Sequence, residues 1–118
     1  MAADGPRHVI LVGLEVTDEA TYARYRAAMA PILAAYGGSF GVDLVVARIL
    51  QGGGDSRSNR VFTLVFPDRS SRGRFFADQG YRAVRTALFE PAVRRTVLLG
   101  EYEESPNRET ESVRREWQ

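Results

Sequence analysis

The segment RVFTLVF, residues 60–66, decides the fold of this 118-residue chain. Successive side chains of a β-strand point to opposite faces of the sheet, so each face of this segment receives every second residue. One face would carry Val61, Thr63 and Val65, and the other Phe62, Leu64 and Phe66. Because both faces are almost entirely apolar, the pattern predicts a strand that is covered on both sides.

The rest of the chain places this strand third in the order β-α-β-β-α-β. Strands are predicted at residues 8–16, 44–50 (with a start near Phe40), 60–66 and 96–102. A first helix follows the N-cap residue Asp18, with a kink or break expected at Pro31. A second begins after Asp68, is interrupted at Gly80 and ends near Pro91. This order predicts an α+β fold with an antiparallel sheet, the ferredoxin-like arrangement.

The predicted ferredoxin-like domain covers residues 8–104, after an N-terminal arm of residues 1–7. Residues 52–59 are rich in glycine and serine and are predicted to form a flexible loop. Residues 105–118 form a charged C-terminal tail, and two interpretations of it remain open. Its composition favours disorder. However, Val113 and Trp117 lie four residues apart, which would suit a short docking helix.

The apolar strands also predict a partner. A ferredoxin-like domain carries helices on only one face of its sheet. Residues 8–16 (HVILVGLEV), however, resemble residues 60–66 in having apolar side chains on both faces of the strand. A monomer would leave several hundred Å² of apolar surface exposed, which soluble monomers rarely do. Sheet-to-sheet packing of two copies would cover that surface and predicts a symmetric homodimer.

The composition excludes several chemistries. The chain has no cysteine, and all 16 basic residues are arginine, so thiolate chemistry, a Schiff-base lysine and a P-loop lysine are excluded. The single histidine, His8, cannot form a multi-histidine metal site without a partner chain. We predict no metal and no cofactor. The net charge of +1 and the lack of a signal peptide or membrane-length apolar run predict a cytoplasmic protein with no membrane partner.

Three glycines, Gly37, Gly38 and Gly41, suggest a phosphate-binding loop at first sight. Such loops lead from a strand into the N-terminus of a helix, where free N–H groups meet the anion. Here the order is reversed, because the glycines follow the predicted first helix. The pair Gly37-Gly38 is therefore predicted to be a helix C-cap, with one glycine in the left-handed conformation.

The RNA-recognition fold shares the predicted element order and displays aromatic side chains on its third strand. Arg60, Phe62 and Val65 fit its signature, whereas Val61 and Leu64 replace residues that the signature needs. Nucleic-acid binding is therefore a disfavoured alternative. It would require the aromatic side chains to lie on the open face of the sheet.

Polar residues among the apolar segments define a candidate site between the helices and the sheet. A planar, oxygenated or anionic ligand would suit its tyrosines and arginines. The predicted ligand-binding residues are Tyr25, Arg48, Arg60, Tyr81 and Arg85. If the protein is an enzyme, His8 or Asp43 is the predicted base. For Asp43 an ion pair with an arginine is an equally open interpretation.

Several short motifs in this order resemble the uncharacterised bacterial family catalogued as domain of unknown function 1330. They are TDE at 17–19, YARY at 22–25, AYGG at 35–38, FPD at 66–68, FF at 75–76 and YRAVR at 81–85. The resemblance covers residues 8–103 and implies a dimeric α/β barrel, in which the sheets of two ferredoxin-like protomers close on each other. That superfamily includes cofactor-free monooxygenases, haem-degrading enzymes, dehydratases and ligand binders, so it implies no single reaction.

Two hypotheses about function follow. The first is a homodimeric small-molecule binding protein or cofactor-free enzyme, with its pocket between the helices and the sheet. The alternative is a non-catalytic assembly module that works through its dimer interface. No combination of nucleophile, base and orienting group is recognisable in the sequence, which favours ligand binding.

Overall fold

The computed structural model of the protein describes residues 5–52 and 57–105 and has the ferredoxin-like arrangement. The elements are β1 (Arg7–Val16), α1 (Glu19–Ala35), β2 (Ser39–Val45), β3 (Arg60–Phe66), α2 (Arg69–Ala77), α3 (Gln79–Val84), a π-helical turn (Arg85–Phe89) and β4 (Val93–Glu104). The strands form one antiparallel sheet in the order β2-β3-β1-β4. The two interpretations of the tail concern residues that lie outside the described ranges, apart from Ser105. In those ranges no helix has the length and apolar character needed to cross a membrane.

The side chains of β3 alternate between two faces of the sheet as its sequence predicts. The inner face packs against the helices, and it is formed by Phe62, Leu64 and Phe66 of β3 with Ile10, Val12 and Leu14 of β1, all of them buried. The outer face carries Val61, Thr63 and Val65 beside Val9 and Leu11. Because Phe62 and Phe66 lie under the helices, the aromatic side chains are not on the open face. The structure therefore lacks the feature on which the RNA-binding alternative depends.

α1 begins and ends as its sequence predicts, but Pro31 does not break it. Asp18 accepts a hydrogen bond from the Thr21 N–H (3.1 Å), and the helix runs as one element from Glu19 to Ala35. Pro31 and Ala27, whose carbonyl loses its helical donor, both lie on the exposed side. Water can hydrogen-bond that carbonyl, so the missing hydrogen bond is tolerated.

The glycine pair is confirmed as the C-cap of α1. Gly37 has φ 77°, in the left-handed region. Its N–H donates to the Ala34 carbonyl and the Gly38 N–H donates to the Leu33 carbonyl, both at 2.9 Å. These two bonds define a Schellman motif, which satisfies the last carbonyls of the helix. The glycines end the helix and lead into β2.

The strand predicted at 44–50 is wrong in its second half, because β2 ends at Val45. β3 starts at Arg60, which pairs with Val45, and one more bond joins the Val46 N–H to the Asn59 carbonyl (2.9 Å). Beyond that point the segment has no partner strand. Ile49 and Leu50 are exposed instead of packed in the sheet. β4 is longer than predicted, because β1 offers it a partner over its whole length.

The interruption in the second helical region lies at Asp78, two residues before the predicted position. Asp78 has extended dihedral angles between α2 and α3, and its carboxylate accepts a hydrogen bond from the Tyr81 N–H (2.8 Å). An aspartate that caps the next helix therefore separates the two helices, whereas Gly80 lies inside α3. The π-helical turn then continues the helical region to Phe89.

Candidate ligand-binding site

A cavity of about 210 Å³ lies between the inner face of the sheet and the helices. Most of its wall is apolar. The lining side chains are Ile10, Val12, Leu14, Met29, Leu64 and Leu98, with the aromatic residues Phe40, Phe62, Phe76 and Phe89. Leu98 is half exposed and Thr96 is exposed, so the cavity opens towards β4. Its polar groups are few, and apart from Thr96 they come from four separate helical segments.

Two tyrosine hydroxyls form the buried polar part of the cavity. The hydroxyl oxygens of Tyr25 on α1 and Tyr81 on α3 are 2.8 Å apart, and both residues are buried. Burial raises the pKa of each hydroxyl above the ordinary tyrosine value. Both groups therefore stay protonated at neutral pH. When one hydroxyl donates to the other, the accepting hydroxyl keeps its own proton for a further acceptor.

Arg26 lines the cavity, but its guanidinium is occupied by internal partners. It donates to the Tyr22 hydroxyl (2.7 Å) and to Asp43 (3.0 and 3.2 Å), and its Cζ lies 3.9 Å from the centre of the Phe40 ring. Arg60 donates to the same carboxylate at 3.1 and 3.2 Å. Partial burial opposes ionisation of Asp43, but the hydrogen bonds and charges of the two arginines outweigh it and lower its pKa.

Asp43 is consequently a poor candidate for a base. Its lowered pKa keeps it ionised but weakly basic, and both of its oxygens accept hydrogen bonds from guanidinium groups. Of the two interpretations left open by the sequence, the structure agrees with the ion pair. Arg60 belongs to this ion pair and does not line the cavity.

Arg85 lines the cavity and is exposed to solvent. It starts the π-helical turn, in which the Glu90 N–H donates to the Arg85 carbonyl (3.0 Å). Its Cζ lies 5.8 Å from the centre of the Phe89 ring, and both residues line the cavity. Among the described residues Arg85 has no ion-pair partner. Single π-helical turns occur frequently at functional sites.

His8 and Arg72 form a second polar group beside the cavity. His8 is buried, and its Nδ1 lies 3.0 Å from a carboxylate oxygen of Glu103. Its Nε2 lies 2.9 Å from Nη1 of Arg72 and 3.3 Å from a carboxylate oxygen of Glu101, and Arg72 Nη1 donates to that oxygen. Arg72 lines the cavity, whereas His8 lies behind it. No group of three or more His, Asp or Glu residues that could hold a metal ion occurs within residues 5–52 and 57–105.

The structure brings three of the five predicted ligand-binding residues together at the cavity: Tyr25, Tyr81 and Arg85. Arg48 lies on the exposed segment after β2, and neither it nor Arg60 lines the cavity. Sequence reasoning missed Arg26 and Arg72. Arg26 follows Tyr22 by one helical turn, so the apolar stripe of α1 could have indicated it. For Arg72 no comparable signal exists, because α2 carries four arginine and serine residues in its first turn.

Comparisons with known proteins agree with this fold. Residues 8–102 match DUF1330, a domain of unknown function, and the chain belongs to that family. No curated protein sequence matches the chain. One similar solved structure is a protein of unknown function from Rhodopseudomonas palustris, with 20% identity and a TM-score of 0.68, covering 89% of this chain and 85% of that one.

Two further structures share the fold at lower similarity. A dimeric ferredoxin-like protein of unknown function from Thermobifida fusca has 14% identity and a TM-score of 0.52, covering 86% of this chain and 92% of that one. SnoaB, a cofactor-independent oxygenase from Streptomyces nogalater, solved as a mutant, has 17% identity and a TM-score of 0.51, covering 90% and 96%. At these identities the likeness concerns the fold alone.

Proposed function

We propose that the protein is a homodimer that binds a small aromatic anion in the cavity between its helices and its sheet. The observation that carries this proposal is the combination of an apolar, aromatic wall with the Tyr25–Tyr81 hydroxyl pair and the guanidinium of Arg85. Ligand sites in proteins are mostly apolar concavities with a few polar groups that fix the orientation of the ligand. This cavity has that composition.

The volume of the cavity limits the size of the ligand. An engineered apolar cavity of about 150 Å³ binds benzene, while sites for drug-sized ligands start at roughly 300 Å³. At about 210 Å³ the cavity therefore suits one aromatic ring with a short polar substituent. Four phenylalanine side chains in its wall favour a planar ring over an aliphatic chain.

The polar groups of the cavity select the substituent. Tyr25 and Tyr81 stay protonated, so the pair offers an O–H donor and suits an acceptor oxygen. Arg85 supplies a positive charge and several N–H donors close to Tyr81. Burial raises the pKa of Tyr81, and the charge of Arg85 acts in the opposite direction. A carboxylate, phenolate or enolate satisfies both requirements.

A titration with matched probes tests the ligand class. Benzoate and benzamide have the same shape and differ in charge, so we expect NMR chemical-shift titration to give the lower dissociation constant for benzoate. Arg85→Gln should weaken benzoate binding by about tenfold or more, the effect of one charge-assisted hydrogen bond, and leave benzamide unaffected. Arg82→Gln is the control, because Arg82 is exposed like Arg85 but does not line the cavity. Equal affinities for the two probes, or equal losses in both variants, would refute the proposal.

The outer face of the sheet supports the homodimer. Leu44, Leu99 and Tyr102 on this face are each about half exposed. These side chains continue the apolar surface of Val61 and Val65, and no described helix covers them. A second copy packed sheet to sheet would bury this surface. The dimeric Thermobifida fusca protein has the same fold, which supports such an assembly at the level of the fold alone.

Light scattering tests the homodimer directly. We expect the mass of two chains for the natural sequence and of one chain for Leu99→Glu, because a buried charge opposes sheet-to-sheet packing. Ala83→Glu on the exposed side of α3 is the matched control and should remain dimeric. A natural chain that is monomeric at all concentrations, or a dimer that Leu99→Glu leaves intact, would refute this interface.

A further inference from the structure

We propose that His8 is a general base for ligands of this cavity and that Arg72 blocks it until an anionic ligand binds. The inference rests on the proposed function, because it requires that the cavity accept a small aromatic anion. It assigns a reaction class, which is proton abstraction from a carbon acid. It also assigns to the contact between Arg72 and His8 the role of making the base available only when a ligand is bound.

The hydrogen bonds of His8 define which of its ring nitrogens could act. Arginine can only donate, so the contact of Arg72 Nη1 with Nε2 at 2.9 Å makes Nε2 the acceptor. The proton of the neutral ring is then on Nδ1, which lies 3.0 Å from Glu103 Oε2 and donates to it. The Nε2 lone pair is therefore the basic site, and Glu103 holds the ring on the opposite side. In many nucleophilic and proton-transfer sites a carboxylate holds the basic histidine in the same way.

Arg72 separates this lone pair from the cavity. The side chain lines the cavity and contacts His8 with the same nitrogen that pairs with Glu101. Ile10, two residues further along β1 on the same face as His8, also lines the cavity. His8 itself is only 3% exposed. Release of Arg72 from Nε2 would thus extend the cavity towards this nitrogen, beside which the Glu101 carboxylate lies at 3.3 Å.

A ligand carboxylate supplies a reason for that movement. While Arg72 donates to Nε2, the lone pair of this nitrogen is engaged in that hydrogen bond and cannot accept a proton from a ligand. A carboxylate in the cavity offers Arg72 a charged acceptor in place of the neutral ring nitrogen, and hydrogen bonds between two charged groups are the stronger kind. Ligand binding therefore frees the lone pair of the base.

The proton transfer balances without a further reactant. Benzoylacetate carries an aromatic ring, a carboxylate and an acidic CH₂ group between two carbonyl carbons. His8 Nε2 removes one proton from this carbon, the electron pair of the broken C–H bond forms the enolate, and the Tyr25–Tyr81 pair donates to the enolate oxygen. Glu103 stabilises the imidazolium through Nδ1–H. In D₂O the ring then returns a deuteron to the same carbon, so the net reaction is hydrogen–deuterium exchange.

Exchange of the CH₂ protons of benzoylacetate, followed by ¹H NMR in D₂O, tests the base. We expect the protein to accelerate exchange at least about a hundredfold over buffer and His8→Gln to abolish the acceleration. Glu103→Gln should lower the rate by about tenfold or more, because it removes the carboxylate that stabilises the imidazolium. Glu104→Gln is the matched control and should keep the full rate, since this side chain does not contact His8. Far-UV circular dichroism of each variant confirms that it is folded.

Carbethoxylation of His8 by diethyl pyrocarbonate tests the block by Arg72 in the intact protein. Because the chain contains one histidine, mass spectrometry reads the modification of a single residue. We expect slow modification of the natural protein, and modification about tenfold faster with benzoylacetate bound or in Arg72→Met. Benzoylacetamide, which lacks the carboxylate, or Arg74→Met on the same helix, should leave the rate unchanged. Arg72→Met should also raise KM for exchange without lowering kcat.

The outcomes separate this inference from the proposed function. If benzoylacetate binds but exchange is not accelerated, or is equally fast in His8→Gln, the inference is wrong and the binding function stands. The inference is also wrong if Arg72→Met and benzoylacetate leave the modification rate of His8 unchanged. If neither benzoate nor benzoylacetate binds, both the proposed function and the inference are overturned.

Discussion

Replacement of Asp43 by Asn will destabilise the protein, because this carboxylate neutralises two guanidinium groups at once. Asp43 accepts four hydrogen bonds, two from Arg26 (3.0 and 3.2 Å) and two from Arg60 (3.1 and 3.2 Å). A hydrogen bond to a charged group contributes about 1.5–3 kcal/mol when it is buried, and an exposed ion pair about 0–1 kcal/mol. The Asp43 side chain is 32% exposed and its partners are 18% and 20% exposed. We therefore expect the free energy of unfolding to fall by about 2 kcal/mol, between these limits.

Urea denaturation at fixed protein concentration, followed by far-UV circular dichroism, measures this loss. Glu19→Gln is the control, because Glu19 lies 3.8 Å from the same Arg60 but is 72% exposed, and it should change stability by less than about 0.5 kcal/mol. The pKa of Asp43 is lowered in the folded state, so its stabilisation is complete above the unfolded pKa near 3.9. It is lost as the pH falls through the folded value. A difference between the natural protein and Asp43→Asn that is negligible at pH 7, or undiminished in acid, would refute the reasoning.

Three further predictions concern the helix cap and the tyrosines. Gly37→Ala should lower the thermal midpoint, because φ is 77° and a Cβ would lie 2.7 Å from Pro67, whereas Gly73→Ala in α2 meets nothing within 4 Å and should be neutral or stabilising. Tyr25→Phe should destabilise the protein by about 1–2 kcal/mol and the double variant with Tyr81→Phe by less than the sum of the single changes, because the single change leaves a buried hydroxyl unpaired. Finally, the raised tyrosine pKa values predict stability that falls as the pH rises above 10, so spectrophotometric titration should show Tyr25 ionising together with alkaline unfolding.

The parts of the fold that local patterns determine could be predicted from the sequence. The alternation in RVFTLVF identifies a strand with two apolar faces, and the glycine pair identifies the end of α1. Pairing partners are not local, however. The apolar segment after Val45 has the composition of a strand, but it lies beyond the first residue of β3 and so has no neighbour to bond. Its exposed side chains, such as Leu50, are as apolar as buried ones, so the sequence alone does not distinguish the two.

The candidate site was predictable only in part, for a related reason. Tyr25 and Tyr81 belong to apolar stripes on helices, so their inward direction follows from spacing. Which arginine is neutralised depends on contacts between distant segments. Asp43 and Arg60 are neighbours in the sheet, and Arg26 reaches the same carboxylate from α1. The sequence contains 16 arginines, and their neighbours in the sequence do not show which of them are neutralised. Only the fold distinguishes Arg85, which lines the cavity and has no ion-pair partner in the part of the chain that the structure describes.

The last strand connects the cavity to the outer face of the sheet. Val12 pairs with Leu98 and Leu11 with Gly100, so Leu99 is the extra residue of a β-bulge. Leu98 consequently points to the inner face and lines the mouth of the cavity. Leu99 points to the outer face, where its Cδ1 lies 3.2 Å from the position that a Cβ on Gly13 would take. A second copy packed on the outer face would press on the bulge from the side opposite the cavity. In the proposed dimer, self-association would therefore fix the wall through which the ligand enters.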